Sequence, residues 1–306
     1  DKNITVTTVA GNGTQGSTEG NGSDARFMFP VAITRLNEET FLIADKNASV
    51  IWKLQGNKVT PFTGSADNPY KRKHQDDVLT QAIFNEPVAI TVNSKNEIFV
   101  CDAGNACIRK IANGTVTTFA GAPGESGDAD GWGTAARFSR LLGLVCDTAD
   151  NLYVADGNLI RQITKEGQVT TWAGQKNKFD CKDGQGQQAV FNLIRQIAIS
   201  PSGNIYVTDS KDNGYDGIET VVRKITPDAK VVTVADGLTE SQFKKLLFKI
   251  YGDQLNSGTY GFPVKDGPVP EAYFQHINGM FVDINEDIYF TDAGFHCIRK
   301  MTIRKQ

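Results

Sequence analysis

The sequence has no long apolar run, no basic cluster and no signal-peptide core. Nothing approaches the roughly 18 consecutive apolar residues that a membrane-spanning helix needs, so no transmembrane segment is expected. The formal net charge is −3 and Lys and Arg are not massed in one place, which argues against a general nucleic-acid-binding protein. The opening residues, DKNITVTT, do not have the apolar core of a signal peptide.

Residues and motifs that build catalytic centres are scarce. The three histidines, His74, His276 and His296, lie on separate segments without the usual spacing of zinc ligands. Cys101 and Cys107 flank one turn, and buried free thiols are favoured there over a disulfide. No GxSxG, Walker-type loop or HExxH occurs. The sequence therefore indicates no nucleophile with its base, and it predicts no cofactor.

What the sequence does contain is one unit repeated five times, seen most clearly in FNEPVAITVNSKNEIFVCDAGNACIRK at 84–110. In each copy an Asp follows a Phe by 18 positions. The pairs are Phe27/Asp45, Phe84/Asp102, Phe138/Asp156, Phe191/Asp209 and Phe274/Asp292. Each copy has three alternating apolar segments after the Phe, and a segment such as VTTFAG at 116–121 supplies a fourth strand.

These copies predict an all-β fold, a β-propeller of four-stranded antiparallel blades, because one small twisted sheet cannot bury both faces alone. The copies begin 53 to 57 residues apart, with 83 residues before the last. We expect a single domain over 1–306 with five blades, the N-terminal strand at 4–10 completing the last blade and closing the ring. The insertion at 236–277 is predicted to contain a short helix, and a sixth blade follows if it adds strands.

The pattern VTTxAG, then AxF, then GN(I/L)YVxD, then IRKI resembles the NHL repeat over essentially the whole chain except 236–271. The first copy departs from it, with Trp52-Lys53 where Arg-Lys is usual, and the fourth inserts KDNGYDGIET before VVRKI. The resemblance implies a bacterial extracytoplasmic propeller, often six-bladed. It also implies a location after a small immunoglobulin-like IPT/TIG domain in a longer surface protein, which the abrupt start at Asp1 fits.

Most of the repeated unit is predicted to be scaffold. The repeated Asp residues are expected to accept backbone hydrogen bonds at tight turns, and the repeated Phe residues to fill the core between blades. The Arg and Lys of each IRK segment are expected to be solvated or paired with carboxylates of neighbouring blades. The long connections at 11–29, 64–86, 121–140, 174–193 and 236–277 are predicted to lie on one face, where recognition usually resides.

The residues just after each repeated Phe differ between copies. They are therefore the candidates for a function that is specific to this protein. Glu86, Arg140, Arg195 and His276 are predicted to converge at the mouth of an axial channel, with Trp132 as an apolar platform on an adjacent loop. The predicted ligand-binding residues are Glu86, Trp132, Arg140, Arg195, His276 and His296. A Trp beside Arg and carboxylate groups suits a sugar or an acidic small ligand. A water-filled channel mouth without a specific ligand is the alternative.

Two metal hypotheses accompany this prediction. The acidic loop with Asp209, Asp212, Asn213 and Asp216 could bind calcium, but it lacks the EF-hand spacing, and a solvated loop is favoured. Zinc at His276 and His296 is implied only by resemblance to propeller lyases that finish peptide amidation.

The predicted function is that of a monomeric, non-catalytic binding or scaffold protein at the bacterial cell surface or periplasm. It would recognise a carbohydrate, a peptide or a protein partner through its loop-rich face. The alternative is a metal-dependent propeller lactonase, hydrolase or lyase with its site on the central axis.

Overall fold

The computed structural model describes residues 7–64, 73–210, 220–236, 267, 277–292 and 297–302. The chain divides into two compact units, Asp1–Val154 with Gln162–Thr170 and Ala155–Arg161 with Thr171–Gln306. Among the described residues, no helix is long and apolar enough to cross a membrane.

The described residues form five antiparallel sheets, one for each sequence repeat. The first blade contains β1 (Gly20–Asn21), β2 (Pro30–Asn37), β3 (Thr40–Asp45), β4 (Val50–Gln55) and β5 (Lys58–Gly64). The second contains β6 (Asp77–Val78), β7 (Pro87–Val92), β8 (Ile98–Asp102), β9 (Cys107–Ala112) and β10 (Thr115–Ala120). The third contains β11 (Gly131–Trp132), β12 (Leu141–Cys146), β13 (Leu152–Asp156), β14 (Leu159–Ile163) and β15 (Gln168–Ala173).

The fourth blade contains β16 (Gly184–Gln185), β17 (Ile194–Ile199), β18 (Ile205–Ser210), β19 (Thr220–Ile225) and β20 (Lys230–Asp236). The described part of the fifth blade contains β21 (Ile277–Val282), β22 (Ile288–Asp292) and β23 (Cys297–Met301). The prediction of an all-β β-propeller with five antiparallel blades is confirmed. The single-domain boundary at 1–306 stays a prediction.

The strand count per blade differs from the prediction, because the first four sheets have five strands. The extra member is a two-residue edge strand from the long connection before each Phe, and it pairs with the strand that had been predicted as outermost. In the first blade Gly20 lies opposite Val59, and Gly22 N–H donates to the Asn57 carbonyl. The edge strand therefore lies at the blade end opposite Asp45, so the long connections are not confined to one face as predicted.

We call the blade end that carries the repeated Asp the Asp end, and the opposite end the turn end. Local sequence explains the turn-end hairpins, as the second blade shows. Asn113 and Gly114 join β9 to β10 with φ of 51° and 76°, which is the left-handed conformation that a two-residue hairpin demands. The β8 segment IFVCD is buried at every position, as expected for a strand covered on both faces.

The repeated Phe residues of the second, third and fourth blades lie in the core, as predicted. Phe84, Phe138 and Phe191 are fully buried. Phe84 belongs to a cluster that joins residues of the first and second blades, and Phe138 to a cluster that joins the second and third. Phe27 of the first blade is only partly buried and meets Trp52 edge to face, with ring centroids 6.1 Å apart. The core is thus built largely between blades.

Several predictions fall on residues outside the described ones. The helix proposed within 236–277 and the sixth blade that it would supply belong here, as do Asp212, Asn213 and Asp216 of the calcium hypothesis. The closing strand at 4–10 is described only from residue 7, and its pairing stays a prediction. The free thiols predicted at Cys101 and Cys107 are confirmed.

Candidate functional site

The repeated Asp fixes the chain where it enters each innermost strand. Asp45 accepts the backbone N–H groups of Met28 and Phe29, both at 2.8 Å. Asp209 accepts those of Asn192 and Leu193, both at 3.0 Å. In the second blade Asn85 N–H donates to Asp102 at 2.7 Å. The predicted structural role of these carboxylates is confirmed, because each one orders the variable residues that follow the Phe.

Arg109, Arg161 and Arg223 of the repeated segments are fully buried, and each lies against the repeated Asp of its own blade, so the prediction is wrong for these three arginines. Lys224, by contrast, pairs with Glu286 of the fifth blade, as predicted.

Arg109 is fully buried, and its Nη1 lies 2.8 Å from Asp102 of its own blade. Its Nη2 lies 2.7 Å from Asp76 in the preceding connection. The guanidinium carbon also lies 4.9 Å from the centroid of the Phe84 ring. The cation is held between two acids and an aromatic face.

The fourth blade repeats this arrangement. Arg223 is fully buried between Asp209 and Asp183, with each N–O distance 3.0 Å, and it lies over the Phe191 ring. Asp183 in turn accepts the backbone N–H of Thr233 at 2.9 Å. In the third blade Arg161 and Asp156 are both buried and 3.0 Å apart. The arginine therefore ties the long connection to the sheet.

The first blade keeps the Asp but replaces the Arg with Trp52. The Trp52 indole Nε1 donates to Asp45 at 3.3 Å, and the Ala48 N–H donates to the same carboxylate at 3.2 Å. Trp52 is fully buried. The carboxylate is thus satisfied by neutral donors, where the second, third and fourth blades use a guanidinium.

Sequence reasoning missed the acid of the long connection, although its signal is as regular as the Phe/Asp pair. An acidic residue stands eight positions before each repeated Phe. These residues are Glu19, Asp76, Asp130, Asp183 and Asp266. In four copies Gly follows this acid, and in three of them that Gly begins an edge strand. The repeated acid and Gly would have revealed both the edge strand and the partner of the buried arginine.

Of the predicted ligand-binding residues, Glu86 stands at the Asp end immediately before β7. Its φ of 54° places it in the left-handed region, which is uncommon for a residue with a side chain. Its carboxylate lies 3.5 Å from the Lys46 ammonium, and both side chains are about one-third exposed. The Glu86 carbonyl accepts the N–H of Ala103, which fixes this backbone conformation.

Arg140 and Trp132 lie at opposite corners of the third blade. Arg140 is exposed and directly precedes β12, the innermost strand, at the Asp end. Trp132 is 58% exposed on β11, the edge strand, and lies opposite Gln168 at the turn end. The sheet order β11-β15-β14-β13-β12 puts four strand spacings between them, or roughly 19 Å. The structure therefore does not bring Trp132 to Arg140 as a platform.

Of the other three predicted ligand-binding residues, the structure describes only Arg195. Arg195 lies in β17, the innermost strand of the fourth blade, and is partly buried. His276 and His296 lie outside the described residues.

Burial shifts the pKa values of two thiols and of His74. Burial raises the pKa of the Cys107 thiol well above its usual range and that of Cys146 to about 12, which makes both poor nucleophiles. Burial, assisted by Arg109, lowers the pKa of His74, whose Nε2 lies 2.7 Å from the Thr118 hydroxyl. Within the described parts of the chain, no three His, Cys, Asp or Glu side chains are grouped to hold a metal ion.

A polar cluster at the turn end connects the fourth and fifth blades. The Glu286 carboxylate accepts hydrogen bonds from Ser202, Tyr206 at 2.6 Å and Asn204 at 3.0 Å. Burial opposes the ionisation of Glu286, but these hydrogen bonds outweigh it and hold its pKa far below the usual range. The Glu286 carboxylate already accepts hydrogen bonds from these protein groups, so we assign the cluster a structural role.

Comparison with known proteins agrees with this geometry. The NHL repeat model matches residues 84–111, the second copy of the unit. The chain is a β-propeller with an NHL repeat in its second blade. Within this NHL propeller the matched segment runs from Phe84 through Asp102 and Arg109, so the family pattern contains the buried pair described above.

Curated relatives of this NHL propeller are distant and much longer. Protein SUPPRESSOR OF QUENCHING 1, chloroplastic, of Arabidopsis thaliana is 26% identical over 234 residues, covering 69% of this chain and 21% of the relative. Teneurin-1 of Gallus gallus is 22% identical over 296 residues, covering 87% of this chain and 10% of the relative. The NHL propeller thus spans about a fifth and a tenth of these proteins.

Solved structures share its fold. An auxiliary nutrient binding protein from Bacteroides ovatus is 16% identical with a TM-score of 0.60, covering 90% of this chain and 59% of that one. A catalytically inactive virginiamycin B lyase from Staphylococcus aureus, with Quinupristin, is 13% identical with a TM-score of 0.50, covering 94% of this chain and 74% of that one. Binding proteins and enzymes therefore both occur on this fold.

Proposed function

We propose that this NHL propeller is a non-catalytic binding protein that recognises its ligand at the Asp ends of its innermost strands. The observation that carries the proposal is the placement of Glu86 and Arg140. They stand immediately before β7 and β12, two innermost strands that contact each other. The scaffold fixes the backbone there, while the side chain at each position differs from blade to blade.

The chemistry of these groups suits a polar ligand. A guanidinium donates up to five hydrogen bonds in a fixed plane, and a carboxylate accepts from hydroxyl or amide groups. Carbohydrate, peptide and protein ligands all offer such groups. Arg195, His276 and His296 stay predicted ligand-binding residues, whereas Trp132 lies at the turn end and is left out of the proposed site. The resemblance to a Bacteroides nutrient binding protein supports both a binding role and an extracytoplasmic location at the cell surface or in the periplasm.

The proposal is tested by screening the purified chain against immobilised oligosaccharides and peptides, followed by titration of the best binder with variants. Arg140→Ala and Glu86→Gln should each weaken binding about tenfold, the loss of one charge-assisted contact. The melting temperature should stay near that of the wild type. Arg35→Ala is the matched control, because Arg35 is an exposed arginine near the turn end of an innermost strand. Unchanged binding by Arg140→Ala, or its failure to fold, would reject the proposal.

Elemental analysis of protein purified without chelator separates binding from the metal-dependent alternative. The proposal expects no stoichiometric zinc or calcium. Bound metal that disappears in a His276→Ala variant would instead support a lyase or lactonase with its site on the axis.

A further inference from the structure

A pocket lies at the turn end between the first and second blades, and the proposed function does not use it. Both blades belong to the first compact unit, and the pocket has a volume of about 330 Å³. Its apolar lining side chains are buried or partly buried: Leu36, Phe62, Leu79, Ile98 and Ile111. Among the described residues, those that line the pocket include no ionisable side chain. The pocket therefore favours a neutral ligand with an apolar part.

The pocket lies where a hydrogen-bonded acid closes the corresponding gap between the second and third blades. Asp150 accepts the N–H and the hydroxyl of Ser94 of the second blade, both at 2.9 Å. Glu286 stands at the same repeat position as Asp150 and connects the fifth blade to the fourth. Between the first and second blades the counterparts of Asp150 and Ser94 are Asn96 and Asn37, and both line the pocket. Neutral amides thus replace the closing pair, and a pocket remains between them.

The amides at the rim are available to a ligand. Asn96 and Asn113 are exposed, and within the described part of the chain neither side chain hydrogen-bonds to the protein. The Asn37 Oδ1 accepts the N–H of Glu39 at 3.1 Å, which leaves its Nδ2 as a donor. Each free amide can donate and accept, so the rim offers the same groups as a peptide backbone.

Hydrogen bonds hold the walls of the pocket in place. The Leu79 carbonyl accepts the hydroxyl of Thr63 at 2.7 Å, and the Leu79 N–H donates to the Gly114 carbonyl at 3.0 Å. Asn93 Oδ1 accepts the N–H of Glu97 at 2.9 Å, which fixes the turn between these two residues. A pocket that is already formed loses less conformational entropy when it binds a ligand.

The size and chemistry of the pocket point to a peptide segment. Its volume is near the lower limit of ligand pockets, about 300–1,000 Å³, so it suits one side chain with its flanking groups. A peptide group carries one N–H and one C=O, which match the donors and acceptors of the rim. A sugar would press hydroxyl groups against Ile98 and Ile111, which is unfavourable without hydrogen-bond partners.

We propose that this pocket binds a peptide through one leucine side chain, which packs against Leu79, Ile98 and Ile111. The peptide groups on either side of that leucine hydrogen-bond to Asn96 and Asn113. The pocket uses none of the residues assigned to the proposed function, so the two sites can succeed or fail separately.

Ligand-observed NMR titration of the whole chain with three capped tripeptides tests the inference. The probes are acetyl-Gly-Leu-Gly-amide and its counterparts with alanine or lysine in the middle. The leucine peptide should bind at least about tenfold more tightly than the other two. Alanine buries less apolar area, and lysine would bring an unpaired charge to an apolar surface.

Variants of the rim test the hydrogen bonds. Asn96 and Asn113 have φ of 60° and 51°, so substitution by glycine removes the amide but keeps the left-handed turn. Asn96→Gly and Asn113→Gly should each weaken binding of the leucine peptide about threefold to tenfold. Asn177→Gly is the matched control, because Asn177 is an exposed asparagine with a φ of 57° that does not line the pocket. It should leave binding unchanged.

A double variant tests the open gap itself. Asn37→Ser combined with Asn96→Asp transfers the Ser94–Asp150 pair to the first and second blades. The new hydrogen bonds should close the rim, so binding of the leucine peptide should fall at least about tenfold. The melting temperature should not fall.

Each other outcome overturns the inference. Equal binding of the leucine and alanine peptides would remove the role of the apolar lining, and equal losses with Asn113→Gly and Asn177→Gly would remove that of the rim amides. No saturable binding at millimolar concentration, tighter binding of N-acetylglucosamine, or full binding by the folded double variant would reject a peptide pocket. Loss of binding in Arg140→Ala but not in Asn96→Gly would assign the peptide to the proposed functional site instead. If a variant does not fold, the comparison of the three peptides on the wild type decides.

Discussion

The first and second blades satisfy their buried repeated Asp with different hydrogen-bond donors. Each has a fully buried Asp at the end of its third strand in chain order, Asp45 and Asp102. In the second blade Asp102 faces the buried cation Arg109, whereas in the first Asp45 faces the neutral indole of Trp52. The comparison shows that the repeated Asp requires hydrogen-bond donors directed at its carboxylate. An arginine guanidinium is one of the groups that can supply them.

Arg109 and Trp52 also differ in the other parts of the chain that they contact. Arg109 reaches Asp76 and the carbonyls of Gln75 and Ile83, so it fastens the preceding connection to the sheet. Trp52 makes no such ion pair and instead packs against Phe27. Burying an ion pair costs desolvation of both charges, which must be recovered through well-placed hydrogen bonds. The stability of the second blade therefore depends on complete pairing of its buried charges, whereas that of the first blade does not.

The largest expected effect comes from breaking the buried pair of the second blade. Arg109→Met leaves Asp102 buried without its cation, and such a loss typically costs about 3–5 kcal/mol. The free energy of unfolding in urea measures it. Lys110→Met is the matched control, because Lys110 pairs with Glu97 at a position where both side chains are about one-quarter exposed. It should cost no more than about 1 kcal/mol. Similar losses in both variants would contradict a special role for Arg109.

The pH dependence of stability is the next expected effect. Burial raises the pKa of Asp102 to about 6, against the lowering effects of Arg109 and Asn105. Because the folded pKa lies above the unfolded one, the contribution is full below about pH 4 and is lost as the pH rises through about 6. Asp102→Asn should remove this dependence. The wild-type advantage over the variant should then shrink by about 3 kcal/mol from pH 4 to pH 7. A pH-independent difference would count against the raised pKa.

A smaller effect on the free energy of unfolding is expected at Trp52, the neutral hydrogen-bond donor of the first blade. Trp52→Phe keeps an aromatic ring beside Phe27 but removes the indole N–H that Asp45 accepts. A hydrogen bond to a charged group contributes about 1.5–3 kcal/mol, and the Met28, Phe29 and Ala48 N–H groups remain, so we expect a loss near the lower limit. Trp132→Phe controls for the change of ring at an exposed position. A loss as large as that of Arg109→Met would mean that the two blades do not differ.

The smallest effect compares the acids of the two long connections. Asp76 binds Arg109 and accepts the N–H of Thr118 at 2.8 Å, and Asp76→Asn should cost about 1 kcal/mol because its side chain is partly exposed. Glu19 occupies the same place in the first repeat and is exposed, and this repeat has Trp52 at the position of Arg109. Glu19→Gln should leave the unfolding free energy unchanged. Equal losses would indicate that the acid acts without the arginine.

The fold was predictable because its signal is periodic. Phe84 and Asp102 recur at fixed spacing with their counterparts, and strands of alternating apolar residues lie between them. The environment of Arg109 was not predictable in the same way, since its partner Asp76 lies 33 positions earlier in a connection that carries few strand signals. The edge strands were missed because two residues such as Gly20 and Asn21 are too short to show alternation.

The candidate site was predictable only in part. The positions of Glu86 and Arg140 at the starts of innermost strands follow from the repeat, because each stands two residues after a repeated Phe. Trp132 was expected near Arg140 because only eight residues separate them in the chain. The connection between them first runs along the blade edge and then returns, so closeness in sequence does not become closeness in space.

The two-residue edge strands have a consequence for behaviour at high protein concentration. A sheet that ended at β5 or β10 would present a full row of unpaired amide and carbonyl groups, which can template pairing with another molecule. β1 and β6 pair with the first two residues of β5 and β10, so the open row on each edge is shorter than the full strand. The short edge strands thus protect part of each blade edge against intermolecular sheet growth and amyloid-like aggregation.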